Sequence, residues 1–138
     1  MDRSKRIIYW TSTLLLAFFI FTGGVAYVLR IQGNVDGFVI LGYPIYFMVL
    51  IGVWKILGSV VIVVPGLPRL KEWAYAGLFF DVTGAAASHA AVGDYGATGF
   101  HVWVNVIFAL CVICSWATRP LARVVGEIGA PKLFARQA

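Results

Sequence analysis

Four apolar runs, each near the length of a bilayer crossing, fill most of this chain: about Ile7 to Leu29, Pro44 to Val64, Glu72 to Val92 and Phe100 to Thr118. A hydrocarbon layer about 30 Å thick takes roughly 20 helical residues, and inside it only helices and closed barrels satisfy their own backbone. Of the 138 residues, 61% are hydrophobic and 12% charged, a balance that excludes a water-soluble domain of this size. The chain reads as one all-α membrane domain, residues 1–138, with a cytoplasmic tail over 119–138. Short turns between the runs predict an up-down bundle of four transmembrane helices. A separate soluble catalytic module does not fit.

A net charge of +5 raises the question of nucleic acid, and the positions of the basic residues answer it. Arg3, Lys5 and Arg6 precede the first run, Arg69 and Lys71 lie in the middle turn, and Arg119, Arg123, Lys132 and Arg136 follow the last run. Only Arg30 falls on the opposite side. This is the positive-inside asymmetry, which puts both termini and the middle turn in the cytoplasm beside anionic lipid headgroups. It gives no reason to expect nucleic acid.

The first run follows a basic start, as a signal peptide does, but it is longer than a signal core and no small-x-small site closes it, so it is expected to be retained. Tyr9 and Trp10 fall where amphipathic rings meet the interface. Gly23 and Gly24 permit close packing or a bend, and Thr11, Ser12 and Thr22 are expected to bond their own backbone. Residues 30–43 read as an exterior segment whose Phe38-Val39-Ile40-Leu41 piece is too short to span. Pro44 suits the first turn of the second helix, Pro65-Gly66-Leu67-Pro68 stops it, and Glu72 opens the third. Gly93-Asp94-Tyr95-Gly96 makes the outer turn. Leu121, Val124, Val125 and Ile128 fall at i, i+3, i+4, i+7, which predicts a short C-terminal amphipathic helix, broken at Gly129-Ala130-Pro131.

Lys55 and Asp81 stand out in this apolar frame, because a charge at the bilayer centre costs on the order of 3 kcal/mol and seldom lacks a partner. Each lies thirteen residues from Pro68. In an antiparallel hairpin rising about 1.5 Å per residue they reach one depth, and they are expected to pair. Gly52, Lys55 and Ser59 share a stripe, as do Gly77, Asp81, Ala85 and His89, so small residues flank each charge and should let these two helices approach closely. The pair serves either to fix helix register or as a site for a proton or a quinone-like headgroup.

From Asp81 the same face leads to Ser88 and His89, a polar track toward the outer surface. His89 exchanges protons near neutral pH, and either links the pair to that surface or caps its helix. Lys55, Asp81, Ser88 and His89 are therefore the candidate ligand or proton site. His101 and Asn105, four apart on the last run, are candidates for an outer vestibule with His89 and Asp94, although an interfacial histidine and a helix-bridging asparagine are ordinary. The spacing of His89, Asp94 and His101 matches no structural zinc pattern, so no metal is expected. Cys111 and Cys114 are i, i+3 helical neighbours with Cβ atoms roughly 5–6 Å apart, too far for the about 3.8 Å of a disulfide. They read as small packing residues.

Gly52-Val53-Trp54-Lys55-Ile56-Leu57-Gly58, the turn Pro65-Gly66-Leu67-Pro68-Arg69-Leu70-Lys71-Glu72-Trp73 and the stretch Phe79-Phe80-Asp81-Val82-Thr83-Gly84 through His89 resemble the DoxX-like family of small bacterial membrane proteins. Leu41-Gly42-Tyr43-Pro44 fits it too, and the resemblance covers about Leu41 to Asp94. It implies a four-helix bundle in the bacterial cytoplasmic (inner) membrane and, through the family's namesake, an association with a thiosulfate:quinone oxidoreductase and membrane redox complexes. The expected function is a redox-associated, accessory subunit that binds a quinone or similar small apolar molecule in the bundle core from the outer side. Lys55 and Asp81 would hold its polar head and His89 would pass protons. No covalent cofactor fingerprint is present, so electrons would come from a soluble or membrane redox partner. The alternatives are a proton-coupled small-molecule carrier, which without inverted repeats would need a homo-oligomer, and a non-catalytic membrane scaffold.

Overall fold

A computed structural model describes residues 2–125. These form five α-helices, α1 (Arg3–Val28), α2 (Gln32–Ile40), α3 (Ile45–Val63), α4 (Pro68–Val92) and α5 (Phe100–Ala117), with no strand among the described residues. The helices end where the chain makes left-handed turns possible. After α4 the Asp94 N–H returns to the His89 carbonyl at 2.9 Å across Gly93 (φ 73°), and after α2 the Tyr43 N–H returns to Phe38 across Gly42 (φ 78°). Both are six-to-one closures that satisfy carbonyls otherwise left open at a helix end. Val64 leaves α3 in an extended conformation ahead of Pro65. Pro68 then occupies the first turn of α4, so this helix starts four residues before Glu72, where a proline's missing N–H costs nothing.

Three helical stretches are long and apolar enough to cross a membrane: Arg3–Val28, Ile45–Val63 and Ala97–Ala117, which includes the turn before α5. α4 is as long, but Arg69, Lys71, Glu72, Asp81 and its run of alanine and glycine make it less apolar. Phe18, Trp54, Phe80 and Trp103 on the outside are each at least 62% exposed, an apolar skin suited to lipid.

α1 packs on α3 and α5, and α4 packs on the same two helices. α3 and α4 run antiparallel, with Tyr43 beside Ser88, Lys55 beside Asp81 and Lys71 beside Val61. α4 and α5 do likewise, from Glu72 at Trp116 to Asp94 at His101. Leu16, Ile20, Ile62, Leu78, Val82 and Val112 interlock between them. Because lipid tails are as apolar as leucine, such contacts hold by packing, and polar groups add interhelical bonds. Ser115 supplies two of these, to Thr13 at 2.6 Å and to the Tyr75 hydroxyl at 2.7 Å.

The glycine of the lysine stripe faces elsewhere than the stripe suggests. A Cβ built on Gly52 would lie 2.8 Å from the Gly24 carbonyl oxygen, and one on Gly24 would lie 2.8 Å from that of Gly52. Gly52 thus brings α3 onto α1, backbone against backbone, and not onto α4. Gly77 on α4 would meet no described atom within 4 Å.

Three other expectations change. Tyr9 is fully buried, not interfacial, because Arg123 donates to its hydroxyl at 3.1 Å from the far end of the chain. Arg123 is drawn inward in a single 3-10 turn over Leu121–Arg123, and Val124 is extended, so no amphipathic α-helix starts at Leu121. Ile128, the break at Gly129, Lys132 and Arg136 lie outside the described residues. The segment 30–43 holds α2, whose Phe38 is buried between the rings of Tyr27 and Tyr43, while Val39 and Ile40 are exposed.

Candidate functional site

Lys55 and Asp81 meet. Nζ lies 3.1 Å from Oδ2, and the two side chains are only 13% and 17% exposed. The contact is one of charge, because the angle is too oblique for a hydrogen bond and the buried Oδ2 has no hydrogen-bond partner among the described residues. On its other side the ammonium lies 4.7 Å from the centre of the Tyr27 ring, close enough for the ring face to attract it. Lysine is therefore shared between α1 and α4. Ser59, on the same stripe, spends its hydroxyl on the Ile56 carbonyl at 2.8 Å.

Below the pair, α3 and α4 part to leave a groove of about 510 Å³. Trp54, Leu57, Leu70, Trp73 and Phe80 line it, and apart from the ion pair its walls are apolar. Gly58 and Gly77 widen it where a larger side chain would close it. This cavity differs from the expected one in two respects. It lies at the side of the structure rather than in the core, and it runs from the pair toward the Pro65–Pro68 turn rather than toward the Gly93 end. At Gly77 no side chain fills the space between α3 and α4. A greasy slot that ends on one cation and one anion can hold a small apolar molecule by its polar end.

The polar track beyond Asp81 resolves into separate local contacts. Ser88 bonds the Gly84 carbonyl at 2.8 Å and the Tyr43 hydroxyl at 2.9 Å. His89 lies about 12 Å further along the helix than Asp81 and turns to Asp94, whose Oδ2 is 2.9 Å from His89 Nδ1. Asp94 Oδ1 lies 3.0 Å from His101 Nδ1, so one carboxylate joins α4 to α5. The closure at Gly93 is what folds Asp94 back over His89. Asn105 donates to the His101 carbonyl at 2.7 Å, a contact within its own helix.

Burial raises the Asp94 carboxyl, but hydrogen bonds from His89 and His101, with their charges, outweigh it and hold its pKa below the ordinary value. A carboxyl lowered on folding contributes stability above its unfolded pKa of about 3.9 and loses it as pH falls through the folded value. Melting curves of the wild type and Asp94→Asn, recorded in detergent from neutral pH downward, are expected to converge below that point. Curves that stay apart at low pH would show that the carboxylate charge is not what ties the two helices.

At the opposite end the sequence reading missed a cluster. Lys71 is fully buried and donates to the Val61 and Val64 carbonyls, while Arg123 donates to those of Ile62 and Val63 at 3.2 and 2.9 Å. The four carbonyls at the end of α3 thus meet two cations, which suits the negative end of a helix. Arg119 pairs with Glu72 at 2.7 Å and lies over the Tyr75 ring. The concentration of basic residues around the end of α3 is the signal in the sequence, which there reads as topology. Cys111 and Cys114 are free thiols, the first packed against the core and the second exposed on the outside.

A helical chain with three membrane-crossing stretches, an apolar skin and ionisable groups turned inward defines an integral membrane protein. The sequence pattern of the DoxX-like family matches residues 11–115, and the chain belongs to that family. The match extends well beyond the stretch from Leu41 to Asp94 that carries the resemblance. No curated protein and no solved structure matches the chain.

Proposed function

We propose that the groove between α3 and α4 binds a quinone or similar small apolar molecule, and that the protein is a redox-associated accessory subunit of a bacterial inner membrane. In this reading the four long helices form an up-down bundle, with both termini and the Pro65–Pro68 turn in the cytoplasm, as the basic flanks favour. The observation that carries the reading is an apolar groove whose lining includes the Lys55–Asp81 ion pair, 3.1 Å between Nζ and Oδ2. The lysine N–H donates to a quinone carbonyl, and the carboxylate accepts from a quinol hydroxyl. Reduction of a quinone consumes one proton per carbonyl, and these two side chains are the titratable groups lining the groove. Electrons come from a redox partner. Lys55 and Asp81 remain the proposed site, whereas Ser88, His89, His101 and Asn105 do not line the groove and have local partners of their own.

Trp54 and Trp73 line the groove, so titration with a short-chain quinone in mild detergent is expected to quench tryptophan fluorescence saturably. Mass analysis of the purified protein is expected to find a lipid-soluble molecule. Gly77→Leu, whose Cβ would meet nothing within 4 Å, puts a side chain into the slot and is expected to weaken quenching at least about tenfold, or 1.4 kcal/mol, with no loss of melting temperature. Quenching that does not saturate, or that Gly77→Leu leaves intact, removes this reading. Ion-driven uptake into vesicles by the wild type would put a proton-coupled carrier in its place.

A further inference from the structure

We infer that His89, Asp94 and His101 form a binding site for a divalent metal ion of zinc type, at the end of the helices opposite the Pro65–Pro68 turn. The site is distinct from the quinone groove and does not depend on it. One ligand atom from each residue, two imidazole nitrogens and a carboxylate oxygen, can be chosen so that all three lie within 4.8 Å of one another. Zinc holds nitrogen and carboxylate ligands at about 2.0–2.2 Å, which puts tetrahedral neighbours about 3.4 Å apart. Whichever carboxylate oxygen ligates, its contact with one imidazole, 2.9 Å from Oδ2 to His89 or 3.0 Å from Oδ1 to His101, needs to open by less than an ångström. The remaining ligand pairs, already within 4.8 Å, need to draw together by no more than about 1.4 Å.

The three ligands come from three segments: the last turn of α4, the loop and the first turn of α5. The loop backbone fixes two of them. Gly93 folds Asp94 onto His89, and Gly96 carries the His101 ring, since a Cβ at that position would lie 3.0 Å from its Cδ2 and Nε2 atoms. A neutral imidazole that ligates through Nδ1 keeps its proton on Nε2. Two imidazoles and one carboxylate suit zinc better than magnesium or calcium, which take oxygen ligands. Three protein ligands leave a fourth position for water. His101 is 41% exposed at its side chain, so an ion can enter from the aqueous side. The intervals of five and seven residues fit no structural zinc spacing, and it is the left-handed turn at Gly93 that makes the ligands converge.

Tag-free protein in detergent, titrated calorimetrically with Zn²⁺ alone, is expected to bind one ion per chain. His101→Ala, which changes the most exposed ligand, is expected to weaken binding at least about 100-fold, because the loss even of a ligand's supporting partner costs 10–100-fold. Its metal-free melting temperature is expected to fall, because the contact with Asp94 goes too, so the two affinities are compared at a temperature where both proteins are folded. Cobalt bound to the wild type should show the intense visible absorption of a four-coordinate ion, a readout that needs no variant to fold. No stoichiometric zinc, the weak absorption of six-coordinate cobalt, or equal affinity in His101→Ala would each overturn the assignment.

Discussion

Lys55→Met and Asp81→Leu, made singly, are each expected to destabilise the protein by about 3–5 kcal/mol, because each leaves a charge in apolar surroundings without its partner. Made together they are expected to recover most of that loss, since replacing a buried ion pair by apolar residues is often neutral or stabilising by about 1–4 kcal/mol. The geometry supports the asymmetry. Both side chains are largely buried, Asp81 Oδ2 has no hydrogen-bond partner among the described residues, and the ammonium also lies against the Tyr27 ring. Unfolding followed by circular dichroism in detergent gives the three free energies. Single variants as stable as the wild type would mean that water reaches the pair. The double variant also separates structure from function: folded and unable to quench with quinone, it assigns the pair to binding. Folded and fully active, it leaves the pair the role of a register pin and favours the scaffold alternative.

Gly24→Ala and Gly52→Ala are expected to cost about 1–3 kcal/mol each, the range for forcing atoms into a packed interface. At both positions the new carbon would stand 2.8 Å from a carbonyl oxygen of the opposite backbone, which cannot rotate away. α1 and α3 would have to separate, and Lys55 would move with them, since its Cβ lies 3.0 Å from the position a Gly24 Cβ would take. Gly24→Ala should therefore also weaken quinone quenching. Gly23→Ala is the control. Nothing lies within 4 Å of its added carbon, and alanine in a helix is favoured over glycine by roughly 0.5–1 kcal/mol. If all three variants melt together, the backbone contact does not hold α1 and α3.

The parts of this structure that bilayer physics dictates were legible in the residues. Apolar runs mark the helices because lipid offers the backbone no other partner, and equal distances from Pro68 bring Lys55 and Asp81 to one depth. What stayed hidden depends on rotation and on contacts distant in sequence. Gly52 carries no mark of whether α1 or α4 is its neighbour, and the open flank at Gly77 follows from that choice. Tyr9 looked like an interfacial ring because its partner, Arg123, lies 114 residues away. His89, Asp94 and His101 share no helical face, and only the reversal at Gly93 gathers them. Lys71 and Arg123 were counted as charges facing water or headgroups, although both reach inward to backbone carbonyls.

The hold of Arg123 on the end of α3 also bears on the order of assembly. Ile62 and Val63 wait for a cation that the ribosome adds sixty residues later. The early helices can dock through Gly24 and Gly52 as soon as both are in the bilayer, and Lys71 can reach Val61 and Val64 soon after, while Ile62 and Val63 are met only when the chain has threaded past α5. Biogenesis thus has a late step, in which one guanidinium ties α1, the end of α3 and the turn after α5 together.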